Sequence, residues 1–272
     1  MKTLLAILML VLVLPVGPAN AADDAEETSP LNSGALAGLA WRGIGPAFMS
    51  GRIADVVLVP DDPGTWYVGV GSGGVWKTTN AGTTWQPIFD GQGSYSIGCV
   101  TLDPRQPATV WVGTGENVSG RHVGYGDGVY RSRDAGRTWE NLGLAQSEHI
   151  GRIVVHPEFS DVVYVAAQGP LWSAGGDRGL FMTTDGGESW EKVLGDDAYT
   201  GVNEVVMDPF DSDVLYASTW QRFRDVAVLM DGGPGSGIHK STDGGRTWRR
   251  VKTGLPTEAM GRIGLAASPQ QP

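Results

Sequence analysis

Three Gly-Arg-Ile triplets carry the residue type best suited to hold an anion: Gly51-Arg52-Ile53, Gly151-Arg152-Ile153 and Gly261-Arg262-Ile263. A guanidinium is always charged and presents a planar fork of donors, so arginines that converge could grip a carboxylate or a sugar acid. Two polar stretches add further reactive types. The first runs from Glu116 to Asp127 and contains Arg121, His122 and Tyr125; the second runs from Gln221 to Gly237 and contains Arg222 and Arg224. Other chemistry has little support. His122, His149, His156 and His239 show no metal-ligand spacing, so no metal is expected. Cys99 stands alone in an apolar run and reads as packing, not as a nucleophile. The run from Gly232 to Gly237 lacks the Lys-Ser/Thr of a phosphate loop, and no cofactor is expected. Asn117-Val118-Ser119 is a glycosylation sequon. Trp172 and Trp220 are the tryptophans placed to stack on a sugar, although packing is the commoner use of this side chain.

The elements that position these residues are set by an internal repeat. An octapeptide occurs at Thr78–Trp85, Ser132–Trp139, Thr183–Trp190 and Ser241–Trp248. Its pattern is Ser/Thr-x-Asp-x-Gly-x-Ser/Thr-Trp, with Asn80 in place of the first Asp. The third positions are Asn80, Asp134, Asp185 and Asp243, giving spacings of 54, 51 and 58 residues. The carboxylate or amide oxygen accepts backbone N–H groups of its own turn. Gly takes the positive φ that side chains resist, and Trp85, Trp139, Trp190 and Trp248 leave the turn to pack on neighbouring strands. Around each box the same order recurs: an apolar run, an x-Pro turn, a second run, a third run entering the box, and a fourth leaving it. Four short strands every fifty residues or so describe a propeller blade. The expected architecture is all-β, with blades at 51–90, 97–143, 150–194 and 201–252 and a fifth beginning at 261. The box joins the third strand to the fourth. The long polar stretches join the second to the third, so they lie on the opposite face with the Gly-Arg-Ile starts, near the axis.

Composition agrees. Glycine makes up 41 of the 272 residues, without the period of collagen, and one cysteine excludes a disulfide scaffold. The formal net charge of −10 disfavours nucleic acid as a partner. At the start, Lys2, the apolar run from Leu4 to Val16 and the small-x-small Ala19-Asn20-Ala21 make a secretory signal cut after Ala21. Residues 22–40 form a polar leader. The apolar run is too short to span a membrane, and no later one is long enough, so an exported chain without a span is expected, periplasmic or extracellular.

The boxes are Asp-boxes, or BNR repeats. With Trp41-Arg42-Gly43-Ile44-Gly45-Pro46, Gly73-Gly74-Val75-Trp76-Lys77-Thr78, Gly113-Thr114-Gly115-Glu116 and Glu148-His149-Ile150-Gly151-Arg152-Ile153, the chain from about residue 40 resembles exported bacterial proteins of the sortilin-like BNR family. Members are often labelled glycosyl hydrolases. In such rings an N-terminal strand completes the last blade, and Trp41–Ile44 resembles one. An open arc of blades leaves unpaired edges, so the expectation is part of a larger propeller.

The resemblance frames two functions. Arginines in an Asp-box propeller resemble the sialidase arrangement, with Arg52, Arg152 and Arg262 as clamp and Glu116 or Asp127 as acid/base; glycoside cleavage takes two carboxyl groups. The sialidase Arg-Ile-Pro signature is missing, since Ala54, Val154 and Gly264 follow the isoleucines. Two-propeller xyloglucanases share the boxes and place a catalytic Asp before a Gly-Gly pair; here Ser72 precedes Gly73-Gly74. The Cys-rich module of sortilin ectodomains is also missing. Recurrence with the repeat suits arginines that pair with neighbouring blades. These departures favour a module binding protein, peptide or carbohydrate over a glycoside hydrolase.

Overall fold

The alternating and apolar runs between the Pro turns are β-strands, and each group of four makes one antiparallel sheet. A computed structural model describes residues 52–270; the signal, the leader and Trp41–Ile44 lie outside that range. The first sheet holds β1 (Ile53–Val59), β2 (Asp62–Val70), β3 (Gly74–Thr78) and β4 (Gln86–Pro87). The second holds β5 (Ile97–Leu102), β6 (Val110–Thr114), β7 (Val129–Ser132) and β8 (Glu140–Asn141). The third holds β9 (Ile150–Val155), β10 (Val163–Ala167), β11 (Gly179–Thr183) and β12 (Glu191–Leu194). In the fourth, β13 (Thr200–Met207) and β14 (Leu215–Gln221) pair with β17 (Gly237–Ser241) and β18 (Arg249–Arg250), and a hairpin of β15 (Phe223–Arg224) and β16 (Leu229–Met230) is inserted. The helical content among the described residues is one 3-10 turn, Ala145–Ser147. No helix there is long and apolar enough to cross a membrane.

The first strands stand side by side: β5 lies against β1 and β9, and β13 against β9. Sheet-to-sheet packing forms three apolar clusters, around Tyr67 and Val110, around Trp111 and Val165, and around Tyr164 and Leu215. This is the arc of propeller blades that the repeat predicts. Residues 261–270 form no ladder. Instead the Ile263 carbonyl accepts Asn203 Nδ2 at 3.1 Å and Ser218 Oγ at 2.8 Å.

Every innermost strand carries a β-bulge at the same step. The extra residues are Ala54, Gly98, Gly151 and Asn203. A bulge bends its strand and re-aims the side chain that follows. Two of the bulged residues must be glycine. A Cβ on Gly98 would stand 2.1 Å from the Ile150 carbonyl oxygen, and one on Gly151 would stand 2.3 Å from that of Asn203.

Each box is closed by its own side chains. In the second, Ser132 Oγ donates to Asp134 Oδ1 at 2.8 Å and accepts the Gly136 N–H at 2.8 Å. Asp134 Oδ1 also accepts Arg137 N–H (2.9 Å) and Thr138 N–H (2.8 Å), while Oδ2 accepts the Thr138 hydroxyl at 2.7 Å. Asp185 and Asp243 accept the amides of Ser189 and Thr247 in the same way, and Asn80 Oδ1 accepts that of Thr84. The fourth box position also has positive φ, at Ala81, Ala135, Gly186 and Gly244. The carbonyl at that position faces the preceding blade, where Lys77 donates to Ala135 (3.0 Å) and Tyr164 to Gly244 (2.9 Å). Trp139 and Trp190 likewise donate across the junction, to the carbonyls of Ile88 and Leu142. Trp85 has no sheet before it among the described residues, and it is 39% exposed.

The boxes make an acid prediction. Hydrogen bonds to Thr138 hold the Asp134 carboxyl down at about 2, and those to Thr247 hold Asp243 at about 2, from an ordinary 3.8. A carboxyl lowered by folding stabilises above its unfolded pKa, and that contribution is lost as pH falls through the folded value. Melting temperature should therefore drop between about pH 4 and pH 2. Replacing Asp134, Asp185 and Asp243 together with Asn should flatten that limb; an unchanged limb would show that the boxes do not carry it.

Candidate functional site

The shared Gly-Arg-Ile triplet does not mean a shared position. Ile53 pairs with Val70 just before the bulge of β1, whereas Arg152 pairs with Ala166 just after that of β9. The position equivalent to Arg152 in the first blade is therefore Asp55, and the position equivalent to Arg52 in the third is His149. Hydrogen bonds agree, because Gly71, Gly115 and Gln168 donate to the carbonyls of Arg52, Ser96 and His149. The three arginines thus do not form one ring.

Arg52 is held by Glu116. Its Nε donates to Glu116 Oε1 at 2.7 Å, its Nη2 closes on the same oxygen, and His122 Nε2 lies 3.4 Å from Nη1. The other Glu116 oxygen accepts the Gly124 amide at 2.9 Å, and the side chain is 3% exposed. Arg152 sits after its bulge between two carboxylates on other innermost strands. Its Nη1 is 3.8 Å from Asp55 Oδ2 and its Nε 3.4 Å from Glu204 Oε1. Burial pushes the Glu204 carboxyl up, against the pull of Arg152. Cys99 occupies the equivalent step of β5, and burial raises its thiol pKa, which suits packing.

Arg262 differs. It has no carboxylate within 4.0 Å among the described residues, and it is exposed. Its Nε donates to Asn203 Oδ1 at 2.9 Å and its Nη2 to Asn117 Oδ1 at 3.0 Å. Those amides belong to a chain across the loops: Gln168 Nε2 donates to both oxygens, and Asn117 Nδ2 donates to the Gly151 carbonyl. The sequon asparagine is thus engaged inside the fold. The Arg262 guanidinium lies 5.6 Å from the Trp220 ring. Trp220 itself is 2% exposed, so it supports arginine and does not offer a face to sugar.

The remaining candidates are mostly framework. Asp127 accepts the Tyr130 hydroxyl at 2.6 Å, and its amide donates at 2.9 Å to Thr114 Oγ1, whose own proton goes to the Gly128 carbonyl at 2.7 Å. Arg222 is fully buried, donating to the carbonyls of Val118 and Gly169 and stacking on Trp220 at 5.0 Å; burial lowers it to about 9. Arg224 is half-buried in β15, and its amide binds the Leu171 carbonyl. Arg121 and Tyr125 are exposed, with the Tyr125 ring 5.8 Å from His149. Burial and the nearby Arg222 lower His149 to about 3. It is therefore neutral, and Nδ1 carries the proton donated to the Glu116 carbonyl at 3.0 Å. Arg178 was not singled out in the sequence. It is buried and donates to four carbonyls of its own loop, those of Gly175, Gln168, Pro170 and Ser173.

These groups leave a cleft of about 410 Å³ at the axial end of the strands, lined by Arg52, Glu116, Asn117, Val118 and Arg262 with Ile53 and Ile97. Arg152 does not line it. The cleft offers one carboxylate locked by Arg52 and one cation supported by amides, an arrangement suited to receiving an anionic or polar ligand.

A family model described as "Sortilin, neurotensin receptor 3" matches residues 127–262, half of the chain. Two xyloglucanases are 24% identical, one from Hypocrea jecorina over 80% of this chain and one from a Paenibacillus species over 72%. The chain spans 28% and 20% of their lengths. Among solved structures, an ancestral GH74 enzyme superposes with a TM-score of 0.56 at 22% identity, covering 75% of this chain and 24% of that one. The GH74 xyloglucanase of Xanthomonas campestris gives 0.53 at 21% identity, covering 73% and 29%. These structural likenesses are to the fold. With the matched half-chain, the four Asp-box sheets lead to one conclusion: the chain belongs to the Sortilin-Vps10 family.

Proposed function

We propose that this chain is an exported binding module that receives a carboxylate-bearing glycan or peptide in its axial cleft. The observation carrying this reading is Arg262, a cation that lines the cleft with amide hydrogen-bond partners and, among the described residues, no carboxylate within 4.0 Å. A ligand carboxylate would supply the missing counter-charge, and the amide of Asn117 would present further polar contacts beside it. Glu116 is unsuited to proton transfer while both its oxygens are bonded, and Asp127 accepts the Tyr130 hydroxyl and does not line the cleft. The xyloglucanase relatives support the second reading, a span of a glycoside hydrolase. On that reading the paired carboxylates would involve residues beyond those described.

Calorimetric titration with trigalacturonate and with an acidic peptide tests the proposal. Arg262→Gln should weaken binding in the cleft about tenfold, a loss of roughly 1.4 kcal/mol. Equal affinity in the variant would remove Arg262 from the site.

A further inference from the structure

A second depression, larger than the axial cleft, runs along β4 on the outer rim, between the first blade and the box of the second. It measures about 610 Å³, and its lining includes Lys77, Gln86, Asp90, Gln92, Arg137 and Trp139. The other junctions of the repeat give an internal comparison. At the next junction, the residue equivalent to Lys77 is Arg131, since both are in β-ladder register with the start of the outer strand and both reach the next box carbonyl. Arg131 is neutralised by Glu140 at 2.8 Å. In the groove that cross-strand position is Gln86, and the sixth box position is Arg137 where the following box has Glu188.

At these three positions the groove has two cations and a neutral amide where its counterpart has one cation and two acids. Neither Lys77 nor Arg137 has a carboxylate within 4.0 Å among the described residues, and Asp90 is the single acid in the lining. Burial, and then the neighbouring Arg137, lower the Lys77 pKa against a smaller opposing pull from Asp62. The Trp139 ring is fixed by its Nε1 bond to Ile88 (2.7 Å) and by the edge of Phe89 at 5.0 Å, and it remains half-buried in the groove wall. A fixed aromatic ring, two primary amides that both donate and accept, and paired cations match the chemistry of a sugar ring with its hydroxyls and an acidic substituent.

We propose that this rim groove binds a short anionic glycan, with Lys77 and Arg137 on the carboxylate or sulfate and Gln86, Gln92 and Trp139 on the sugar. The site is separate from the axial cleft and does not depend on the function assigned there.

NMR titration of the isotope-labelled 272-residue chain with trigalacturonate gives a residue-resolved test. The Trp139 indole and the side-chain amides of Gln86 and Gln92 should shift saturably. Methyl-esterified trigalacturonate should shift them at least about tenfold more weakly, as should the K77Q/R137Q variant, while R262Q should leave these shifts intact. Because Lys77 bonds a carbonyl, Arg137→Gln alone serves as the second variant; its side chain makes no hydrogen bond among the described residues. Absence of saturable shifts at these residues would overturn the site. Equal response to the methyl ester would overturn the role of the cations. Hexaglutamate binding as tightly as the sugar would overturn the glycan assignment.

Discussion

Trp190→Ala should destabilise the protein by about 2–4 kcal/mol, while Trp85→Ala should cost less than about 1 kcal/mol. Both residues end an Asp-box, so the repeat alone treats them as equal. Trp190 packs against the cluster between the second and third sheets and donates its indole N–H to Leu142 at 2.8 Å. Removing it opens a cavity and orphans a carbonyl at a junction where two blades meet. Trp85 meets the edge of Trp66 at 6.3 Å and faces no other sheet among the described residues. Urea unfolding of the two variants measures the difference. Equal losses would mean that the first box also faces a packed blade.

Gly98→Ala and Gly151→Ala should each cost about 4 kcal/mol or more, enough to prevent accumulation of folded protein. The atoms a new Cβ would strike are backbone carbonyls of adjacent innermost strands, which cannot swing aside as a long side chain can. Gly98 is the tighter case, since the Gly115 carbonyl oxygen also lies 2.5 Å from that Cβ. Gly91→Ala is the control, because its Cβ meets nothing within 4 Å and its φ is not positive. Thermal melts of the three variants decide the matter. A Gly98→Ala protein melting with the parent would mean that the innermost strands are not packed this closely.

Much of the framework was legible because it repeats. The boxes fix where third strands end and fourth strands begin, and the loop face follows from strand order. The site was less legible, for reasons that lie in register. The triplet lies before the bulge in β1 but begins on it in β9, so Arg52 and Arg152 share a triplet while standing three steps apart, and a bulge has no composition signal that would reveal this. The same offset hid Asp55 and Glu204, the carboxylates that hold Arg152. Trp220 looks like a surface aromatic in a polar stretch, yet the loops fold over it. Phe223–Arg224 and Leu229–Met230 form a hairpin that alternation over two residues could not announce; its turn is closed by Asp225 accepting the amides of Ala227 and Val228.

Product analysis beside a binding isotherm tests the assignment of a binding module most directly. The 272-residue chain would be incubated with trigalacturonate and with xyloglucan oligosaccharides, and both bound ligand and newly formed reducing ends would be measured. Saturable binding that weakens in Arg262→Gln, with no reducing ends above the buffer control, is the expected result. Reducing ends that accumulate with the parent chain and disappear with Glu116→Gln would contradict it, and would make Glu116 a catalytic residue.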